Sequence, residues 1–244
     1  DSSLLNPDFW RDPAKITAYV QGVLEYAGKP ARVSVSVDSD RAFCSWQSDG
    51  MYRISIPKIP QLIADEKLRK LVYARAMFLR HELGHALFPT TGLDHIETHK
   101  FVNQIDDTRV ETLYGNVFKG ARTGFAELRT VFFNNAKKKI ENADPNIVDF
   151  GMFIRFESAG LRFSDTPTIL FYRRLLGETN VIIEDPKEFV AMCESLHKKA
   201  VDEIRAEAEK REAEKREAEK QVNKVDEGEE SEGEESEGEE SEGE

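Results

Sequence analysis

Residues 65–88 read DEKLRKLVYARAMFLRHELGHALF, from Asp65 to Phe88. The run has no proline and a single glycine, and it is dense in Leu, Ala, Arg and Lys, so it predicts one long helix. Asp65 and Glu66 suit the helix start, where the peptide dipole favours negative charge. Leu68, Leu71, Val72, Ala76, Leu79, Leu83 and Leu87 recur at three- and four-residue steps, which makes a core-facing stripe. Pro89 ends the helix, and Thr90-Thr91-Gly92 reads as a turn. Within it, His81 and His85 stand four residues apart, so their imidazoles point the same way and can grip one ion.

The pentad His81-Glu82-Leu83-Gly84-His85 is the H-E-x-x-H pattern of zinc metallopeptidases. Glu82 follows the first imidazole, placed to take a proton from a water activated by the ion. The bland alternative is a helix with two surface histidines. Gly84 lets another backbone or a substrate approach closely, at a cost of about 1 kcal/mol relative to Ala in a helix interior.

A catalytic zinc takes three protein ligands and leaves one position open. A second helix is expected from about Ile96, and on it Asn103, Asp107 and Glu111 share one face at i, i+4, i+8. Asp107 is the expected third ligand, with Asp106, Glu111 and His99 as alternatives; neighbouring acids would hydrogen-bond the ligands. Without the pentad, these acids would read as an exposed face paired with Arg109. His95 and His99 form another i, i+4 pair. The position six residues after His85 is Thr91, which excludes the three-histidine metzincin pattern. Zinc so held lowers the pKa of a bound water towards about 7, and Glu82 would pass the proton on to a leaving amine. His95, His99, Arg109 and Tyr114 are candidates to stabilise the oxyanion. His197 reads as a solvated surface residue.

Upstream, Val33, Val35 and Val37 alternate with Arg32, Ser34 and Ser36, a half-buried strand. Arg41–Gln47 and Met51–Pro57 read as two further strands joined at Ser48-Asp49-Gly50, a hairpin signal. The expected class is α+β, zincin-like: a small antiparallel sheet whose edge could align a peptide, then a mostly helical domain, and a disordered acidic C-terminal tail. From Gly124 to Gly177 three amphipathic helices are expected, the first presenting Leu128, Val131, Phe132 and Ile140 to the core.

Composition divides the chain. Residues 226–244 carry twelve acids and no base, while residues 1–225 balance at 34 acids and 34 bases, so the net charge of −12 belongs to the tail. The expected division is a domain over 1–200, a charged helix over 201–225, built on Glu-Ala-Glu-Lys-Arg repeats, and a tail at 226–244 too polar to bury a core. The neutral body lacks a basic stripe, so nucleic acid is not an expected partner. No apolar run reaches membrane-spanning length and no signal peptide opens the chain; Cys44 and Cys193 are isolated. A soluble cytoplasmic protein is expected.

Asp106-Asp107-Thr108-Arg109-Val110-Glu111-Thr112-Leu113, followed by Gly115 and Gly120, resembles a stretch of the CobT-type subunit of aerobic cobaltochelatase. It also resembles bacterial and phage proteins that carry a metallopeptidase-like domain ahead of a von Willebrand A-type domain. About 20 residues and the order of features carry the likeness; the D-x-S-x-S motif of the A-type domain does not occur in these residues. The resemblance implies a possible partnership with a ring-forming ATPase, and the host cytoplasm if the chain is phage-encoded. Two functions follow as expectations: hydrolysis of a peptide or protein substrate with Zn2+ on His81, His85 and Asp107 and Glu82 as general base, or a non-proteolytic chelatase-like subunit acting through its acidic tail.

Overall fold

The computed structural model describes residues 2–60, 64–90 and 96–229. His95 and residues 230–244 of the acidic tail therefore lie outside the described residues. Among the described residues the fold is α+β: a three-stranded sheet and seven α-helices. The chain divides into two units, Asp1–Ala200 and Val201–Glu244.

In the first unit two short 3-10 turns lead into α1 (Pro13–Tyr26), started by Pro13 and capped by the Asp12 carboxylate, which accepts from the N–H groups of Ala14 and Lys15. The strands are β1 (Arg32–Ser39), β2 (Phe43–Trp46) and β3 (Met51–Pro57), in the spatial order β1-β3-β2. β2 and β3 form the expected hairpin, with Gly50 supplying the left-handed backbone of the turn at φ +75°. The sheet is mixed rather than antiparallel throughout, because β1 pairs parallel to β3. Burial accounts for this. β3 carries Ile54, Ser55 and Ile56 at 2% exposure or less, so it takes the centre, and β1 adds Val33 and Val35 to the same core. β2, none of whose residues is fully buried, is left at the edge.

Helix α2 (Asp65–Leu87) matches the opening stretch, and its last turn closes with the Phe88 N–H on Gly84 O. Helix α3 (Ile96–Val117) lies between α2 and α5 (Ile147–Glu157). Two glycines make that possible. A Cβ on Gly84 would stand 3.3 Å from Val110 Cβ, and one on Gly151 would stand 2.1 Å from Gln104 Oε1, so α3 is approached closely from both neighbours. Helix α4 (Arg122–Asn142) buries Gly124, Phe125, Phe133 and Ile140, whereas Val131 and Phe132 of the expected stripe are exposed. Phe133, Phe153, Phe156 and Phe163 pack edge-on and tilted around α4 and α5, and α6 (Pro167–Leu176) adds Tyr172.

Helix α7 (Pro186–Glu229) begins in the first unit, where Phe189, Cys193 and Ala200 are buried. His197 is not a free surface residue: its ring stands edge-on to Phe101, centroids 5.3 Å apart. From Val201 the helix is laced by i, i+4 ion pairs such as Arg205–Glu209 and Arg216–Glu212. No helix among the described residues is long and apolar enough to cross a membrane.

Candidate metal centre

Helix α2 delivers His81, Glu82 and His85 on one face, and α3 delivers three carboxylates opposite them. His81 Nδ1 donates to Glu111 Oε1 at 3.0 Å, and His85 Nδ1 donates to Asp106 Oδ2 at 3.1 Å. A carboxylate only accepts, so each Nδ1 carries a ring hydrogen, and Nε2 is the nitrogen of each ring left to face an ion. The two Nε2 atoms face each other at 3.3 Å, and Asp107 Oδ1 lies 3.5 Å from that of His81 and 3.4 Å from that of His85. Two imidazole nitrogens and one carboxylate oxygen thus form a nearly equilateral triangle. A tetrahedral ion with ligands at 2.0–2.1 Å sets them about 3.3–3.4 Å apart, so these three residues could hold a metal ion.

The outer layer holds these atoms in place. Asp106 is braced by Arg109 at 2.8 Å, and Arg109 is itself fully buried, donating to the carbonyls of Phe88, Ile183 and Glu184. The other oxygen of Asp107 accepts from Arg155 Nη1 at 2.6 Å. Glu111 Oε2 faces Arg129 Nε at 3.5 Å. Hydrogen-bonded ring nitrogens with carboxylates behind them are the usual support of a metal-binding imidazole.

No family model matches this chain. Comparison with known proteins likewise found no similar curated protein and no similar solved structure.

Burial alone would push both histidines down, but Asp107 and Glu111 hold His81 well above its ordinary pKa, and hydrogen bonds to Asp106 and Asp107 bring His85 up to about 9. Asp107 would be raised by burial; Arg155 and the two histidines reverse that and keep it ionised. The whole cluster is thus an electronegative pocket suited to a cation. Burial pushes the Glu82 carboxyl up, tempered by His81, by His85 and by the N–H of Cys44, which donates to it. A raised carboxyl near a metal is a proton acceptor that can also give the proton back.

The structure brings together His81, Glu82, His85 and Asp107, with Asp106 and Glu111 behind the histidines rather than among the converging atoms. His99 does not join them; it is exposed, its Nδ1 paired with Asn103 Nδ2 at 3.1 Å, and it lines a cleft of about 530 Å³ that opens onto the triad. Arg109 and Tyr114, both expected near the reacting atoms, are enclosed: one spends its donors on Asp106 and three carbonyls, the other packs between Phe118 and Phe125. Arg155 is the site residue that the sequence did not announce. Its one signal is a lone positive charge in the Phe-rich run of α5, FGMFIRFE.

Edge strand β2 forms the cleft wall. Its ladder with β3 pairs Phe43 with Ser55 and Ser45 with Arg53, and Gln47 N donates to Met51 O at 2.9 Å. In an antiparallel pair alternate residues bond inward, so Cys44 and Trp46 turn their backbone groups away from β3. The bond from Cys44 N–H to Glu82 fits that direction.

Proposed function

We propose that this chain is a zinc-dependent peptidase of the zincin type, with His81, His85 and Asp107 holding Zn2+ and Glu82 acting as general base. The observation that carries it is the triangle of two Nε2 atoms and Asp107 Oδ1 with edges of 3.3–3.5 Å, next to a buried carboxylate. When bound, zinc would polarise a peptide carbonyl and a water molecule. Glu82 would accept the proton released by that water and hand it to the departing amine, a role suited to its raised pKa. Asp106 and Glu111 keep both imidazoles in the tautomer whose Nε2 faces the ion. The outward backbone of β2 offers an extended peptide a strand to pair with, and Phe43, Trp46 and Tyr52 give its side chains an aromatic wall. His99, at the cleft mouth, is placed to donate to a developing oxyanion.

A non-proteolytic subunit working with a ring-forming ATPase is the second reading. The resemblance of Asp106–Leu113 to the chelatase subunit favours it, as does the Arg155–Asp107 ion pair, which satisfies Asp107 without an ion.

Metal analysis of the purified chain and hydrolysis of a quenched peptide mixture test both. About one zinc per chain, with hydrolysis lowered by about 10²–10⁴-fold in Glu82→Gln while zinc is retained, supports the peptidase. Zinc without hydrolysis in the parent chain supports the second reading. No zinc at neutral pH removes the peptidase and leaves the second reading.

A further inference from the structure

A second chamber, about 550 Å³, lies on the other side of the triad and shares Ala42, His81, Glu82 and Asp107 with the first. Phe78, Leu128 and Phe132 give it an apolar side, and three arginines line it, the exposed Arg41 and the more enclosed Arg75 and Arg155. Arg75 is only 9% exposed and donates to the carbonyls of Pro57 and Lys58. Among the described residues no carboxylate pairs with it, so a buried positive charge stands without a countercharge, which is costly unless something anionic visits it. Burial lowers its pKa, in line with that. Arg155 gives Nη1 to Asp107, and its Nε has no hydrogen-bond partner. Four acids also line this chamber: Asp40 is exposed, whereas Glu111 is paired with His81 and Arg129, Asp107 with the imidazoles and Arg155, and Glu82 accepts from the Cys44 N–H. A divalent ion on Asp107 would take a share of the charge that now balances Arg155.

Strand β2 gives the cleft a direction. Along it, Ala42 borders both chambers, while Phe43, Cys44 and Trp46 border only the first. An extended peptide pairing antiparallel to β2, the more stable register, runs from Trp46 towards Ala42. Its residues before the triad then lie against Trp46 and Tyr52, and those after it enter the chamber with the guanidiniums.

Resting on the peptidase reading, we propose that this second chamber receives the residues downstream of the scissile bond and selects substrates that carry a carboxylate there, from an Asp or Glu side chain or from the chain's own C-terminus. The upstream chamber, bordered by His99, Asp106 and Asp107, has no such preference.

The test uses the zinc-loaded full chain and a mixture of unrelated synthetic peptides, with new termini located by mass spectrometry. Asp, Glu or the original C-terminus is expected within three residues downstream of cleaved bonds about tenfold more often than upstream, the scale of one charge-assisted hydrogen bond. A matched peptide pair, Glu or Gln at the preferred downstream position, should show the same ratio, falling to about twofold or less in Arg75→Gln. Reading the ratio within one protein cancels any loss of folded material, and the parent-chain ratio stands even if the variant does not fold. Loss of the advantage on C-terminal amidation assigns the chain end as the source; its survival with an internal Glu assigns the side chain. Cleavage with no downstream enrichment overturns the chamber's role and leaves hydrolysis intact. No cleavage of any peptide overturns the peptidase reading and this inference with it.

Discussion

Helices α2 and α3 face each other across the same site, yet they hold their functional groups by different means. Helix α2 presents an apolar stripe to the core and sets His81 and His85 four residues apart, so one period places everything. Helix α3 is buried on nearly every side and keeps Asp106, Thr108, Arg109 and Glu111 in the interior, each with a partner from another part of the chain. Thr108 Oγ1 donates to Arg155 O at 2.7 Å, and Arg109 ties the end of α2 to the segment before α7. One helix is specified by its own sequence; the other is specified by what surrounds it.

The sharpest way to break that contrast is Arg109→Leu. The change leaves Asp106 with only His85 as partner and leaves three carbonyls without their buried donor, so it should cost about 3–5 kcal/mol of stability. Thermal unfolding followed by circular dichroism measures this. If α3 depended on local preference as α2 does, the loss would be under about 1 kcal/mol.

The ligand layer comes next. Glu111→Gln and Asp106→Asn remove the charge behind each imidazole without moving the ligands, and each should lower zinc affinity about 10–100-fold. Competition with a zinc chelator gives the value. Affinity should also depend on pH, since zinc must displace protons from imidazoles held above their ordinary pKa. Apparent affinity should climb as pH rises through neutrality and flatten above about 9, where His85 loses its proton without help. A flat profile between pH 6 and 8 would mean that the histidines are not the ligands.

This contrast also explains what the sequence could convey. The α2 boundaries, the pentad, the three strands and the β2–β3 turn follow from periodicity and turn chemistry, which are local. Asp107 was reachable because i, i+4, i+8 spacing on α3 restricts which acids can share a face. Which of the three acids meets both imidazoles was not, because that depends on the rotation of α3 against α2. The parallel pairing of β1 was illegible for a similar reason: alternation says which face is buried, not which neighbour is chosen. Arg155 reaches Asp107 from α5, 48 residues further along, and no spacing rule spans that separation.

Gly84 is where the two helices meet, and it refines the contrast on a smaller scale. Its absent Cβ leaves room for Val110, whose Cβ and carbonyl oxygen would stand 3.3 and 3.4 Å from an added methyl. Gly84→Val therefore overpacks the contact and should cost about 1–3 kcal/mol, visible as a lower unfolding midpoint. Zinc affinity should fall as well, because pushing α3 away separates Asp107 from both Nε2 atoms. A stability loss with unchanged affinity would place the rotation of α3 under the control of α5 and Gly151 instead.

The smallest effect belongs to the second unit, Val201–Glu244, which carries the local principle to its limit. Its described ion pairs are exposed and lie one turn apart, such as Glu212 with Arg216 and Lys210 with Glu214. Exposed pairs of this kind contribute about 0.3–0.5 kcal/mol each and are screened by salt. Glu212→Gln should therefore trim helicity only slightly, and less at high ionic strength, with no change in zinc affinity. Helicity in this unit is a sum of small neighbouring contacts, whereas α3 rests on a few large distant ones. A marked loss of helix from this one substitution would mean that the pair is held by something other than its own turn.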